Sequence, residues 1–505
     1  MAPEILLDYR PLWAVLISLV AAVLILFTGE RRSNLREAWT LIAAFGKVAI
    51  VFSMLPLVLG GQVIEIAPIH VAQGITLQLR VDTAGMLFAA LASFLWVITS
   101  FYSIGYMRGH HEKHQTGYFA SFAVCLSATM GIAFSANLLT FFVFYELLTI
   151  ATYPLVIHKR NAEAIKSGRK YLAYTLISGQ LFLIAIIWTY ITVGNGDFLA
   201  GGFLTLEHGS AGLLGLMFLL MTVGAAVKAG VMPFHGWLPD AMVAPTPVSA
   251  LLHAVAVVKA GAFGILRVVG YVFGPELLGQ IGAAEVLAWF AAFTIIVSSL
   301  IAMNQDNLKR RLAFSTVGQL SYVVLGISLL TPLGFLGGMY HIIAHAFMKI
   351  TLFFCAGAIY VTTHKENISE MHGIGRRMPI TIAAYTIASF GIAGVPFIVG
   401  FISKWNIALG ALQGGYALYV VVLIASAMLA STYLLPLAYL GFFKKSDKFT
   451  EYGEARKDML IPIVITAVLS VVLGILPNFG ANFYDLATMA AQSIVQSIEL
   501  VGGGW

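Results

Sequence analysis

Cysteine is almost missing: Cys125 and Cys355 are the only two in 505 residues, and both fall inside apolar runs. Two such thiols give no disulfide framework, no zinc site and no iron–sulfur ligand set. Charge is equally scarce, at 10% of residues, against 59% hydrophobic. A soluble domain cannot hide that much apolar surface, so the chain reads as a membrane protein. There is no Gly/Ser linker and no polar stretch long enough for a soluble domain. The formal charge of +6 is therefore read as loop asymmetry rather than as an affinity for nucleic acid.

What the chain does have is apolar runs of membrane-spanning length. A bilayer core of about 30 Å needs about 20 apolar residues per helix. Fourteen runs are expected, starting near residues 11, 38, 83, 117, 137, 170, 212, 247, 285, 310, 334, 379, 415 and 457. They are too long, and too uniformly apolar, to be barrel strands. The start, "MAPEILLDYRPLW", places Glu4 and Asp8 before Arg10, which is a poor secretory leader, so the first span is expected to stay. The end, "ANFYDLATMAAQSIVQSIELVGGGW", reads as a weak amphipathic helix on the outer surface, too short to brace other subunits.

The loops after odd-numbered spans hold 21 of the 29 basic residues, in clusters such as Arg31, Arg32 and Arg36, or Lys309, Arg310 and Arg311. The even loops hold Arg80 alone. This bias puts the odd loops in the cytoplasm and both termini outside; the expected location is a prokaryotic inner membrane.

Charges inside the spans carry the functional argument. Each costs about 2.5–3.5 kcal/mol on insertion scales unless it is compensated. Glu146 is the one deep acid, in "LLTFFVFYELLTIATYPL". Lys228, Lys259, Lys349 and Lys404 are deep cations in four other spans. A structural contact explains one such lysine as well as function does; five ionisable groups in five spans point to proton transfer. Lys47 is read as a structural lysine, near enough to the cytoplasmic end to snorkel, and Arg267 as an interfacial anchor.

A negative Glu146 attracts Lys228, and a proton arriving on Glu146 breaks the pair and frees the lysine to release its own proton, since burial disfavours a charged amine. In "YHIIAHAFMK", His341, His345 and Lys349 share one helix face at i, i+4 and i+8. A HxxxH pair could hold zinc, but a lysine on the same face argues against a metal; neutral core histidines are the bland alternative. Imidazole titrates near neutrality, so a relay is favoured. His253 and Lys259, six residues apart, do not share a face, and join the path only if it turns or water bridges them.

"KAGVMPF" places Gly230 and Pro233 near Lys228, and "GVPFIVGFISKW" places Gly394 and Pro396 near Lys404. Each reads as a broken helix. The breaks fall in spans seven and twelve, which run in opposite directions. Paired breaks of this kind point to an inverted-repeat transporter with a mid-membrane site.

These residues resemble the antiporter-like subunit family shared by Mrp-type cation/proton antiporters, respiratory NADH–quinone oxidoreductases and membrane-bound hydrogenases. The matching stretches are "FYELLTIATYPL", "VKAGVMPFHGWLPDAMVAPTPVSALLHAVAVVKAG", "DNLKRRLAFSTVGQLSY", "HIIAHAFMKITLFF" and "GIGRRMP". The resemblance implies an all-α membrane protein of about fourteen helices with two inverted five-helix repeats. The expected divisions are 1–110 for an N-terminal three-helix segment, 111–272 and 273–443 for the repeats, and 444–505 for the last span and tail. It implies that Glu146 and Lys228 act as an acid–lysine pair. Lys259, Lys349, His253, His341 and His345 would form the connecting axis, with Lys404 as its terminal lysine.

The largest members carry a long C-terminal extension that this sequence does not show, and one respiratory cousin has glutamate where Lys404 stands. The combination is most like a D-type subunit of a Mrp antiporter, with the proton-pumping subunit of a redox-driven or inorganic-carbon-uptake complex as the alternative. The expected partners are other integral membrane subunits, protons, lipid, and sodium as the candidate coupled ion. No sodium cage of carbonyls and carboxylates stands out. No cofactor, metal or nucleic-acid partner is expected. A redox enzyme is disfavoured because haem, cluster and nucleotide motifs are missing, so redox chemistry would belong to partners. A scaffold whose charges only hold neighbours in place is the remaining reading.

Overall fold

The computed structural model describes residues 4–72, 74–444 and 449–499, with the side chains of 252–253 and 496–499 outside that description. The chain forms α1 (Arg10–Thr28), α2 (Ser33–Leu59), α3 (Thr83–Gly109), α4 (Gln115–Ala133), α5 (Leu138–Val156) and α6 (Ala162–Val193). It continues with α7 (Ala211–Ala229), α8 (Trp237–Asp240), α9 (Thr246–Ala254), α10 (Val257–Arg267), α11 (Gly274–Ile281), α12 (Ala283–Met303) and α13 (Leu308–Ser328). Then follow α14 (Pro332–Thr363), α15 (Ile374–Arg377), α16 (Pro379–Ala393), α17 (Val399–Gln413), α18 (Ala417–Phe443), α19 (Lys457–Ile475) and α20 (Phe483–Glu499).

The protein is an all-α membrane protein. Among the described residues, 12 helical segments are long and apolar enough to cross a bilayer. The other two expected spans, near 310 and 379, correspond to the more polar α13 and to the split pair α16 and α17. Start sites follow capping chemistry that the sequence already carries. Asn137 accepts from Thr140 N, Asn161 from Ala164 N, Asn307 from Arg310 N, and Thr331 from Gly334 N. Pro332 then occupies the first turn of α14, where its missing N–H costs nothing.

The outer surfaces of α1, α6 and α18 present bare aliphatics and aromatics, among them Phe27, Ile177, Ile191, Val421 and Met428, as lipid-facing helices require. By contrast α14 is buried along its spanning length. It packs on α9, α13, α16, α17 and α19, so any polar group on it faces protein.

Short strands, absent from the sequence-based expectation, close one end of the bundle. β1 (Ile5–Leu7) runs parallel to β2 (Val63–Glu65), which pairs antiparallel with β5 (Arg80–Val81). Between them, β3 (Ile69–Ala72) and β4 (Ile75–Leu77) form a hairpin. The alternation in "VIEIAPIHVAQGITLQLRV" is the signal for these strands.

Two charged residues sit differently from their expected places. Lys47 does not snorkel: it is fully buried, donating to Ser18 Oγ at 2.7 Å and to the Leu126 carbonyl at 3.0 Å, with its Nζ 4.9 Å from the Trp96 ring centre. Neighbouring helices surround its whole length, so the route to the interface is closed. Nor is Arg267 an interfacial anchor. It is buried in a two-pronged ion pair with Asp82, at 2.5 and 3.0 Å, walled by Tyr271, Phe263 and Phe198. Asp82 also caps α3 through Gly85 N, so one carboxylate ties α3 to α10. The tail helix α20 lays Leu486, Ala487, Ala490 and Ile494 against α3 and α14.

Candidate functional site

Both expected breaks are present, and glycine rather than proline ends each helix. Gly230 (φ +74°) stops α7, and the next residue reaches back, Val231 N to the Ala226 carbonyl at 3.1 Å. Gly394 (φ +91°) stops α16, with Val395 N on the Phe390 carbonyl at 3.0 Å. These are the same glycine-capped terminus twice, and Pro233 and Pro396 then prevent the helix from resuming. The first break is fastened by Trp237 Nε1 donating to the Val227 carbonyl at 2.8 Å and by Met232 N donating to Thr294 Oγ1 at 3.1 Å.

A third discontinuity carries no glycine or proline: α9 ends at Ala254 and α10 begins at Val257. The counting of His253 and Lys259 along one continuous helix therefore does not apply. His253 lies on α9, and its side chain is outside the described residues.

Lys228, in the last turn of α7, is fully buried. Its ammonium donates to the main-chain carbonyl of Tyr145 at 2.6 Å and lies 3.1 Å from the centre of that residue's ring. The expected direct ion pair with Glu146 does not form. Both carboxylate oxygens of Glu146 are buried without a well-formed hydrogen bond. The carboxylate rests against Gly179 of α6, where any Cβ would collide with it. The Tyr145 ring is held in turn by its hydroxyl, which donates to the Gly224 carbonyl at 3.0 Å.

On the far side of the α7 break, Gly261 of α10 packs directly on the Lys228–Ala229 backbone. Two residues earlier, Lys259 sits 2.8 Å from His345 Nδ1 on α14. His345 and His341 follow one another on the same face, with ring centres 6.3 Å apart. His341 Nδ1 lies 2.7 Å from Ser403 Oγ on α17, and its ring stacks on Tyr322 of α13 at 5.3 Å. The other face of that cluster holds Lys404, whose Nζ is 4.8 Å from the Tyr322 ring centre and donates to the Ile392 carbonyl at the end of α16. A free carbonyl at a helix C-terminus suits a cation. Lys349 branches off: it donates to Ser315 Oγ at 2.8 Å, and Tyr433 OH donates to the same oxygen at 3.0 Å.

The geometry thus brings Lys259, His345, His341 and Lys404 into one buried row, holds Lys228 on Tyr145 and Glu146 against Gly179, and turns the ammonium of Lys349 to Ser315. The sequence reading missed Tyr145, Gly179, Ser315, Tyr322, Ser403 and Tyr433. Tyr322 and Ser315 lie within one of the matching stretches, but a hydroxyl in an apolar span carries no signal of its partner.

A multi-pass helical protein with two capped helix breaks and a buried row of lysines and histidines defines an ion-conducting membrane class. Residues 135–431 match the family described as "NADH:quinone oxidoreductase/Mrp antiporter, TM", and the chain belongs to that family. It is 29% identical over 416 residues to NADH-quinone oxidoreductase subunit N of Desulforudis audaxviator, covering 79% of this chain and 82% of that one. It is 28% identical to a Na(+)/H(+) antiporter subunit from Alkalihalophilus pseudofirmus, covering 96% of this chain and 63% of that longer protein. Its fold is similar to that of a chain in the Mrp complex from Dietzia sp. DQ12-45-1b, with a TM-score of 0.85, 19% identity and 98% of each chain covered.

Proposed function

We propose that this chain is the proton-translocating subunit of a multisubunit cation/proton antiporter, working with other integral membrane subunits in a prokaryotic plasma membrane, both termini outside. The observation that carries the reading is the row Lys259, His345, His341 and Lys404, buried in a membrane protein: Lys259 touches His345, the two histidine rings stand 6.3 Å apart, and Tyr322 lies between His341 and Lys404. Such groups are expensive inside a bilayer, and proton relays use them. In this reading Glu146 loads the path and Lys228 responds, with the breaks at Gly230–Pro233 and Gly394–Pro396 lending both ends room to move. His253 and Lys349 are assigned to the same path. The two breaks belong to two inverted repeats, residues 111–272 and 273–443, flanked by the segments 1–110 and 444–505. Relatives named for sodium, potassium and quinone chemistry share this family, so a redox-driven pump is the alternative assembly.

The test is transport by the intact complex in sealed vesicles with an imposed pH gradient. Sodium or another alkali cation should collapse the gradient, and Lys228→Ala should abolish this while the complex still assembles. Unchanged transport in Lys228→Ala overturns the proton-relay reading. Proton movement that requires an electron donor and ignores cations replaces the antiporter with the redox-driven pump.

A further inference from the structure

Ser403 is not among the residues that the family resemblance supplies, yet its hydroxyl is the partner of the His341 ring. Its Oγ lies 2.7 Å from His341 Nδ1 and 3.0 Å from the Gly400 carbonyl, and a hydroxyl has one proton to give. A helical serine commonly donates to the carbonyl three or four residues back. With that proton on Gly400, Oγ can only accept, and it accepts from a protonated Nδ1.

Across the pair the order is reversed. A protonated Lys259 has donors and no acceptor, so His345 Nδ1 accepts from it and a neutral His345 carries its hydrogen on Nε2. We propose that Ser403 is a positioning residue that holds His341 as the Nδ1–H tautomer, so that the two histidines form a relay with a built-in direction, His345 giving and His341 receiving. This rests on the proton-relay reading above.

The transfer balances. A proton leaves Lys259 Nζ and binds His345 Nδ1, and the hydrogen on His345 Nε2 departs for His341 Nε2. One N–H bond forms and one breaks at His345, which ends neutral in the opposite tautomer. His341 ends as an imidazolium whose Nδ1–H stays on Ser403. The ring centres stand 6.3 Å apart and tilted by 36°, a gap that one water can bridge. Tyr322, stacked on His341 at 24° between planes, keeps the ring from turning over. Beyond His341 and the Tyr322 ring stands Lys404, its Nζ 4.8 Å from the ring centre, as the next group along. To pass a second proton, His345 must return to its first tautomer, so the step runs once per reset.

Solid-state nitrogen-15 NMR of histidine-labelled chain in its assembled complex, in membranes, reads the tautomer directly. The expected result is His341 protonated on Nδ1 in the native chain, a mixed population in Ser403→Ala, and the native state again in Ser403→Thr. Transport in sealed vesicles should fall about tenfold or more in Ser403→Ala, the scale seen when the outer partner of a metal-bound histidine is removed, and recover in Ser403→Thr. A native His341 with its proton on Nε2, or a Ser403→Ala chain with unchanged tautomer and rate, overturns the inference. The tautomer can stand while Lys228→Ala transports normally; that outcome removes the relay reading and not the assignment at His341.

Discussion

Lys228 grips Tyr145 twice: the ammonium donates to the tyrosine's carbonyl at 2.6 Å and rests on its ring. The ring therefore holds the lysine one residue short of Glu146, the acid it was expected to grip. Tyr145→Phe keeps ring and carbonyl and loses only the bond to Gly224, so stability should fall by about 0.5–1.5 kcal/mol with transport retained. Tyr145→Leu removes the cation–π surface and should lower transport several-fold, a cation–π contact being worth about 2 kcal/mol when desolvated. Equal rates in the two variants would leave the ring without a role. Transport in vesicles and thermal unfolding of the purified chain measure both.

Gly179 makes the room that Glu146 occupies. Gly179→Ala should push the carboxylate out of place and depress proton transport, while Gly215→Ala, on the same bundle with open space at its Cβ, should leave transport unchanged. If both variants transport alike, the position of Glu146 is not critical.

Asp82 and Arg267 are a two-pronged pair in which the guanidinium is buried and the carboxylate partly so. Asp82→Ala strands the guanidinium among three aromatic rings and should cost about 3–5 kcal/mol, whereas the double replacement Asp82→Asn with Arg267→Met should recover much of that loss. Thermal unfolding in detergent distinguishes this from a surface pair, for which both variants would lie within about 1 kcal/mol of the native chain.

His158, just past the end of α5, is buried, and burial pulls its imidazole down to about 4 against its ordinary 6.5. His114 and Arg160 add to the effect, and Glu112, 3.7 Å away, does not offset it. The folded state thus prefers the neutral ring. Its stabilising contribution is fully present above about pH 6.5, where the unfolded ring is also neutral, and is lost as pH falls from there through about 4. His158→Phe should flatten this part of the pH–stability curve; an unchanged slope between those pH values would contradict the assignment.

Much of the architecture was legible because a bilayer imposes it. The expected span starts near 83, 137, 212, 334, 379 and 457 fall within two residues of observed helix starts at 83, 138, 211, 332, 379 and 457. The breaks at Gly230 and Gly394 were equally visible, because glycine takes the left-handed cap of a helix end without the cost a side chain adds. The α9–α10 discontinuity was not, since Val255 and Ala256 are ordinary residues inside an apolar stretch of sequence and nothing local marks them. Lys47 and Arg267 were misplaced for a related reason. Distance from a span's end measures depth, whereas burial depends on which helices surround the side chain.

Residue by residue, the sequence by itself determined that this chain lives in a membrane, where many of its helices start, and which ionisable groups lie too deep for lipid to accept. Cost of transfer is a property of each residue and its depth, so it can be counted along one dimension. Only the tertiary structure decided that Lys228 would bond Tyr145 rather than Glu146, that Lys259 would meet His345, and that Ser403 would sit on His341. Those pairings join residues 62 to 86 positions apart. A hydrogen bond depends on angle and distance to within a few tenths of an ångström, which no spacing along the chain can specify.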